Sequence, residues 1–210
     1  MSEVQAIRDG ILSMGLDDKD ALAEQLDQFV SSLVKWNKIY NLTAIREKDQ
    51  IVSLHILDSL SVCPYIKGAS TIDVGSGGGF PGIPLALYFP EREFVLLDSN
   101  GKKTRFLCQM KIELGLKNCT IIQSRVEDYA GSFDQVCCRA FASLDDIYSR
   151  SAHLLNEDGE ILALKGKLET EDLDIKKGVF ELKEVHKLYV PTVAADRHLI
   201  IIKKEKRHWA

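Results

Sequence analysis

Apolar positions in the first third of the chain recur at helical spacing. Leu22, Leu26, Phe29, Val30, Leu33 and Val34 fall at i, i+4, i+7, i+8, i+11 and i+12, so they share one helix face, which must dock on something. A second set, Ile51, Val52, Leu54, Leu57 and Leu60, predicts another helix, ending before Pro64. Nothing from Met1 to Gly68 alternates as a strand does. From Ser70 the pattern changes to short β-rich runs alternating with helical ones, the signature of a parallel sheet covered by helices. The expected strands are Thr71 to Val74, Phe94 to Leu97, Thr120 to Gln123, Gln135 to Cys138 and Glu160 to Leu164. Helices are expected around Pro84 to Tyr88, Lys102 to Leu114 and Leu144 to Leu155. Gly115 is placed to end the second of these, and Ser143 with Asp146 to open the third. Two later extended runs, Lys183 to Val190 and His198 to Lys203, lie close enough in sequence to pair as an antiparallel hairpin. The pattern therefore predicts an α/β domain over residues 69–210, with a seven-stranded, mostly parallel sheet ending in an antiparallel hairpin. Residues 1–68 are expected as a helical N-terminal extension packed on that sheet domain, because no repeat or low-complexity linker separates the two.

Composition narrows the class. With 210 residues, 45% of them hydrophobic, the chain suits one domain with an appendage. The opening residues MSEVQAIRDGILSMGL lack a basic segment followed by an apolar run, and no stretch reaches the eighteen or so apolar residues of a membrane span, so a cytoplasmic protein is expected. The five cysteines, Cys63, Cys108, Cys119, Cys137 and Cys138, form no CxxC pair and leave one over, which indicates neither a disulfide framework nor a zinc site. Cys137 and Cys138 are read as strand packing. A net charge of −4 and a pI near 5.8 argue against indiscriminate coating of nucleic acid, so any RNA contact must come from local patches. No heptad pattern stands out, and a monomer is the expectation.

The segment IDVGSGGGFPGIP puts Gly75, Gly77, Gly78 and Gly79 directly after an apolar strand, with Pro84 suited to the first turn of the next helix. A chain reversing at a strand end needs positive φ, and a missing Cβ lets backbone approach a ligand. A dinucleotide fingerprint requires GxGxxG, but Phe80 stands where the third glycine would be, which weakens a nicotinamide reading. The pattern present is GxGxG preceded by Asp73, which resembles the first motif of S-adenosylmethionine-dependent methyltransferases. Asp98 ends the next strand about twenty residues on, where a carboxylate accepts hydrogen bonds from ribose hydroxyls; the alternative is that Asp98 or Ser99 only caps the following helix. Arg139 ends a strand of Val136, Cys137 and Cys138 and needs an anion partner. That partner is a ligand carboxylate, an RNA phosphate, or a protein acid such as Asp73.

Together WNKIYNLTAI, HILDSL, IDVGSGGGFPGIPLA, LLDSNGKKTRFL, QSRVED, CRAFASL, ALKG and RHL resemble the small-subunit (16S) ribosomal RNA guanine-N7 methyltransferase family, also called RsmG or glucose-inhibited division protein B. The resemblance runs in order from about Trp36 to about Ile202. It implies a Rossmann-like class I methyltransferase domain that moves a methyl group from S-adenosyl-L-methionine to N7 of one guanine in the decoding-region loop of 16S rRNA, on the free RNA or the small subunit. It maps cofactor contacts onto Gly75, Phe80, Val126, Glu127 and Arg139, with Asp98 as the ribose carboxylate and Arg139 as the candidate catalytic residue. Gly78 stands where many members carry another small residue or proline.

Read on their own, Val126 and Glu127 could meet an adenine ring or form a solvated loop. Lys165 binds phosphate or is a surface lysine. Trp36, Asn37, Tyr40, Asn41, His55 and Asp58 either cover the cofactor pocket or stack on an extruded base, or else anchor the helices to the sheet. Lys102, Lys103, Arg105, Arg125, Arg197 and the tail residues Lys203, Lys204, Lys206 and Arg207 are candidate phosphate contacts or solvated charges. The sequence has no DPPY or NPPY run and no Pro-Cys pair after the fourth strand, so it lacks the groups used on exocyclic amines or pyrimidine rings. A nicotinamide-dependent oxidoreductase and a non-catalytic nucleotide-binding regulator are the competing readings.

Overall fold

The computed structural model describes residues 2–19, 21–139, 143–168 and 180–204. Its helices are α1 (Glu3–Ser13), α2 (Leu22–Tyr40), α3 (Lys48–Ile51), α4 (Asp58–Leu60), α5 (Gly82–Tyr88), α6 (Gly101–Glu113) and α7 (Leu144–Ser151). Its strands are β1 (Ser70–Val74), β2 (Glu93–Asp98), β3 (Cys119–Gln123), β4 (Phe133–Arg139), β5 (Leu155–Lys165), β6 (Phe180–Leu188) and β7 (Arg197–Lys204). They form one seven-stranded sheet in the order β3-β2-β1-β4-β5-β7-β6. The first five strands run parallel to one another, and β7 pairs antiparallel with both β5 and β6. β1 lies between β2 and β4, so the strand order reverses there, and the carboxyl ends of these strands border the crevice where open α/β sheets take ligands. Among the described residues no helix is long and apolar enough to cross a membrane.

Side chains alternate between two cores. On one face of the sheet Leu96 and Cys137 pack with α5, α6 and the N-terminal helices; on the other Ile72, Val74, Val136 and Cys138 pack with α7. Cys137 and Cys138 therefore face opposite ways, and burial pushes both thiols up, which leaves them as packing groups. The α2 face read from the sequence is the buried one: Leu22, Leu26, Phe29, Val30 and Leu33 are enclosed, each worth about 1.5–3 kcal/mol of burial.

Three details differ from the pattern reading. Helix α1, which buries Ile7 and Ile11, was not separately expected. The helix expected through Ile51 and Leu60 contains a π-helical segment, Val52–Leu57. The wider π turn slips the face, so Ile56 is buried and Leu54 is only half-buried. Strand β5 begins at Leu155, ahead of the expected Glu160, because a register shift opposite Phe133 and Gln135 absorbs Asn156 to Gly159 into the pairing; α7 accordingly stops at Ser151, before a short 3-10 turn at Ala152–Leu154.

Helix α5 descends onto the sheet at Gly82. A Cβ there would lie 2.7 Å from both Asp73 Oδ2 and Leu96 Cγ. Gly82→Ala is therefore expected to cost about 1–3 kcal/mol by overpacking, read as a lower urea midpoint with an unchanged m-value.

Candidate active site at the glycine turn

The turn after β1 uses positive φ at Gly75 (74°), Gly77 (58°) and Gly79 (94°), which is why glycine fills these places. The N–H groups of Gly75 and Ser76 both donate to Leu97 O, fastening the turn to β2. Beside it opens a cavity of about 650 Å³, bordered by Gly75 from the turn, Asp98 and Ser99 from the end of β2, Val126 and Glu127 after β3, and Arg139 from β4. Lys103 of α6, Ser124, Arg125, Asp146 and Arg150 complete its rim.

Asp98 is 6% exposed. Its Oδ2 accepts from Gly77 N–H at 2.9 Å and its Oδ1 from Asn100 N–H at 2.8 Å, with Lys103 Nζ 3.8 Å from Oδ2. A carboxylate offers about four acceptor sites, so each oxygen keeps capacity for a ligand hydroxyl. The cap of α6 is Asn100, whose side chain accepts from Lys102 N–H, not Asp98 or Ser99.

Arg139 lies among groups from the N-terminal helices. Its Nη1 donates to Asp58 Oδ2 at 3.2 Å and to Leu54 O at 3.4 Å, its Nη2 approaches His55 Nδ1 at 3.2 Å, and the guanidinium sits 5.3 Å from the centre of the Phe80 ring. The protein acid that meets Arg139 is thus Asp58 and not Asp73. Asp73 is enclosed under α5, where Oδ2 accepts from Gly82 N–H and Oδ1 finds no partner; burial raises its pKa to about 6. Asp58 also accepts from Arg197 Nε at 2.9 Å, so one buried carboxylate bridges two guanidiniums.

Residues 22–200 match the family model of rRNA small subunit methyltransferase G. The chain belongs to the rRNA small subunit methyltransferase G family. It is 48% identical over 199 residues to the ribosomal RNA small subunit methyltransferase G of Ectopseudomonas mendocina, with 93% of each chain covered. It is 49% identical over 192 residues to that of Hydrogenovibrio crunogenus, covering 90% of this chain and 89% of the relative. Among solved structures, the mitomycin 7-O-methyltransferase MmcR has a TM-score of 0.59 at 12% identity over 86% of this chain and 67% of its own. The ribosomal protein L11 methylase of Lactobacillus delbrueckii subsp. bulgaricus gives 0.55 at 16% identity over 76% and 80%. At such identities the likeness is one of fold.

Within this member of the rRNA small subunit methyltransferase G family, Gly75, Asp98, Val126, Glu127 and Arg139 share one cavity, but Phe80 does not border it. The Phe80 side chain is buried between Phe29 and His55, stacking on the imidazole at 4.5 Å, so it supports Arg139 from behind. Glu127 is paired with Arg150 at 3.0 Å on an exposed rim. Lys165 lies one β5 residue beyond the partner of Arg139 in the sheet, opposite His198. Residues 140–142 of the CRAFASL segment and the tail residues Lys206 and Arg207 lie outside the described residues. The Asp58 bridge was not read from the sequence, although HILDSL and RHL contain both of its distant ends; Asp146 and Arg150 had no signal beyond helix position.

His55 is held neutral. Burial first, and the adjacent Arg139 charge second, push its pKa down to about 4 from 6.5. His55 Nδ1 lies 3.0 Å from Leu54 O, to which it can donate, and 3.2 Å from Arg139 Nη2, while Nε2 meets the Thr43 hydroxyl at 2.8 Å, so the neutral ring is held at both nitrogens. Between pH 6.5 and 4 the unfolded chain binds a proton here that the folded chain refuses, so this group's stabilisation is lost as pH falls through that window. Asp73, raised to about 6, acts with the opposite sign from 6 down to 3.8. In the difference between wild type and His55→Gln the Asp73 contribution cancels. That difference in unfolding free energy is expected to shrink by about 1.4 kcal/mol per pH unit on acidification; chemical denaturation at several pH values measures it, and a flat difference would mean the folded imidazole is already charged.

Proposed function

We propose that the chain transfers a methyl group from S-adenosylmethionine to N7 of one guanine in the decoding-region loop of 16S rRNA. The observation that carries this reading is that Gly75, Asp98, Val126, Glu127 and Arg139 border one cavity at the switch point of the sheet, in a chain of an rRNA small subunit methyltransferase family. A volume of about 650 Å³ is within the range that admits a nucleoside with an amino-acid arm. Asp98 retains acceptor sites for a ribose diol. Val126 offers a buried apolar wall for a purine. Arg139 donates to Asp58 and Leu54 and approaches His55 Nδ1, which leaves at least two of its five N–H donors for a carboxylate or phosphate.

The donor supplies an electrophilic methyl on a sulfonium. Guanine N7 presents a lone pair and no proton, so no side chain has to act as base; the residues need only align the reactants and complement charge. The rim suits that work, since Lys103, Arg125, Arg139 and Arg150 alternate with Asp98, Glu127 and Asp146 and no single sign dominates. His55, held neutral by burial and the Arg139 charge, packs beside Arg139 and is given no proton-transfer role in this reading.

The test combines calorimetric titration with S-adenosylmethionine and NAD and transfer of labelled methyl to unmethylated 16S rRNA and small subunits, with the product base identified. Wild type is expected to bind the methyl donor and to yield N7-methylguanine. Asp98→Ala is expected to weaken donor affinity about tenfold or more, through loss of charge-assisted hydrogen bonds, and Arg139→Ala to lower turnover by roughly 10²–10³. Binding of NAD in place of the donor, or methyl found at another atom, would overturn the proposal.

A further inference from the structure

The positive charges of the chain are not distributed like its negative ones. Arg8 is paired with Asp18 and Glu24, Lys48 with Glu3, Lys183 and Lys203 with Glu160, and Lys187 with Asp196. By contrast, the side chains of Lys35 and Lys38 on α2, Lys102 and Arg105 on α6, and Arg125 after β3 are exposed and meet no carboxylate among the described residues.

The fold brings these five to one end. Helices α2 and α6 run antiparallel: Gln28 and Ser32 bond to Glu113 at the C-terminal end of α6, whereas Trp36 packs on Phe106 at its middle, and the chain beyond Trp36 continues toward its N-terminal half. The C-terminal end of α2, with Lys35 and Lys38, therefore lies along the first half of α6, with Lys102 and Arg105. Lys103, between those two, borders the cavity, as does Arg125.

Helix electrostatics oppose this arrangement. The first turn of α6 carries Lys102 and Lys103 and no acid, at the end where the peptide dipoles already concentrate positive charge. Local stability would be better served by carboxylates, and a sequence that breaks a local rule beside its site does so for function. An exposed row of cations leading to the cavity complements a polyanion.

We infer that the α2–α6 cation row, Lys35, Lys38, Lys102 and Arg105, continued by Arg125 at the rim, is the docking surface for the phosphate backbone of the acceptor RNA, resting on the reading of the chain as an rRNA methyltransferase. The row fixes the position of the RNA, and base choice is left to the cavity. It also gives an acidic protein a local polyanion surface without a basic average.

The experiment measures Kd for transcribed 16S rRNA and for small subunits against salt, KM for each in methyl transfer, donor Kd by calorimetry, and thermal stability. Lys102→Ala/Arg105→Ala and Lys35→Ala/Lys38→Ala are compared with wild type and with Lys117→Ala, an exposed lysine beyond the C-terminal end of α6. Each double variant is expected to raise the RNA Kd and KM about tenfold and to reduce the log–log salt slope by roughly 1.4, from about 0.7 per lost single-strand contact. Donor Kd and Tm are expected to hold, with Tm rising if anything for the α6 pair, and Lys117→Ala should match wild type. Unchanged RNA affinity and salt slope in both doubles would overturn the inference. So would a loss seen only with assembled subunits, which would assign the row to a ribosomal protein. Failure of wild type to bind or methylate RNA at all would instead sink the underlying function.

Discussion

A buried carboxylate with two cationic partners holds the site together. Asp58 comes from the N-terminal helices, Arg139 from the parallel half of the sheet and Arg197 from the antiparallel half, so their ion pairs join three parts of the chain at one point. Enclosing charge in this way is not a source of stability in itself, because desolvation offsets much of the attraction. What it provides is position. Two guanidiniums on one carboxylate leave a unit of positive charge at the end of β4, aimed by Asp58, by His55 and by the Phe80 ring beneath. The π-helical segment makes the geometry possible, since His55 lies within it and Asp58 directly after it, and both reach the same arginine.

The same local electrostatics separate two buried ionisable groups in contrary directions. His55 is driven neutral and Asp73 is driven toward its protonated form, and in both cases loss of water is the leading cause. Neither change creates a general base, and the proposed transfer to an unprotonated ring nitrogen has no use for one. The chemical demand falls on placement, and the arrangement answers it with backbone: Gly77 N–H and Asn100 N–H fix both oxygens of Asp98 before any ligand arrives. Such preorganisation reduces the ordering cost of binding.

Much of the fold was legible because periodicity is a direct consequence of burial. The strands from Thr71 to Leu164 and the closing hairpin follow from runs that fill both faces of a covered sheet, and the α2 face follows from its spacing. The π segment was not legible, since a widened turn changes which residues face inward without changing composition, as the exchange of Leu54 for Ile56 shows. The glycine turn and Asp98 could be read because sharp reversal and acceptor chemistry restrict residue type. The partner of Arg139 could not, because Asp58 is far away in sequence and nothing local links them. Phe80 marks a similar limit: its place in the motif says that it is near the site, but only packing shows its ring set between Phe29 and His55, against Arg139.

Charge placement completes the picture. An overall charge of −4 is unfavourable for approaching RNA at long range, yet beyond about 10 Å at ordinary ionic strength such an average is screened. Within that distance the local arrangement decides. Glu3 on α1, Asp18, Glu24, Glu160 on β5 and Glu184 on β6 pair with neighbouring lysines and arginines, whereas the exposed cations along α2 and the start of α6 meet no carboxylate among the described residues. A polyanion contacting that row gains charge contacts that the paired regions do not offer, and the row is continued by Arg125 on the cavity rim. Orientation toward the site is thereby set by where the chain leaves its positive charge unpaired, without requiring a basic protein.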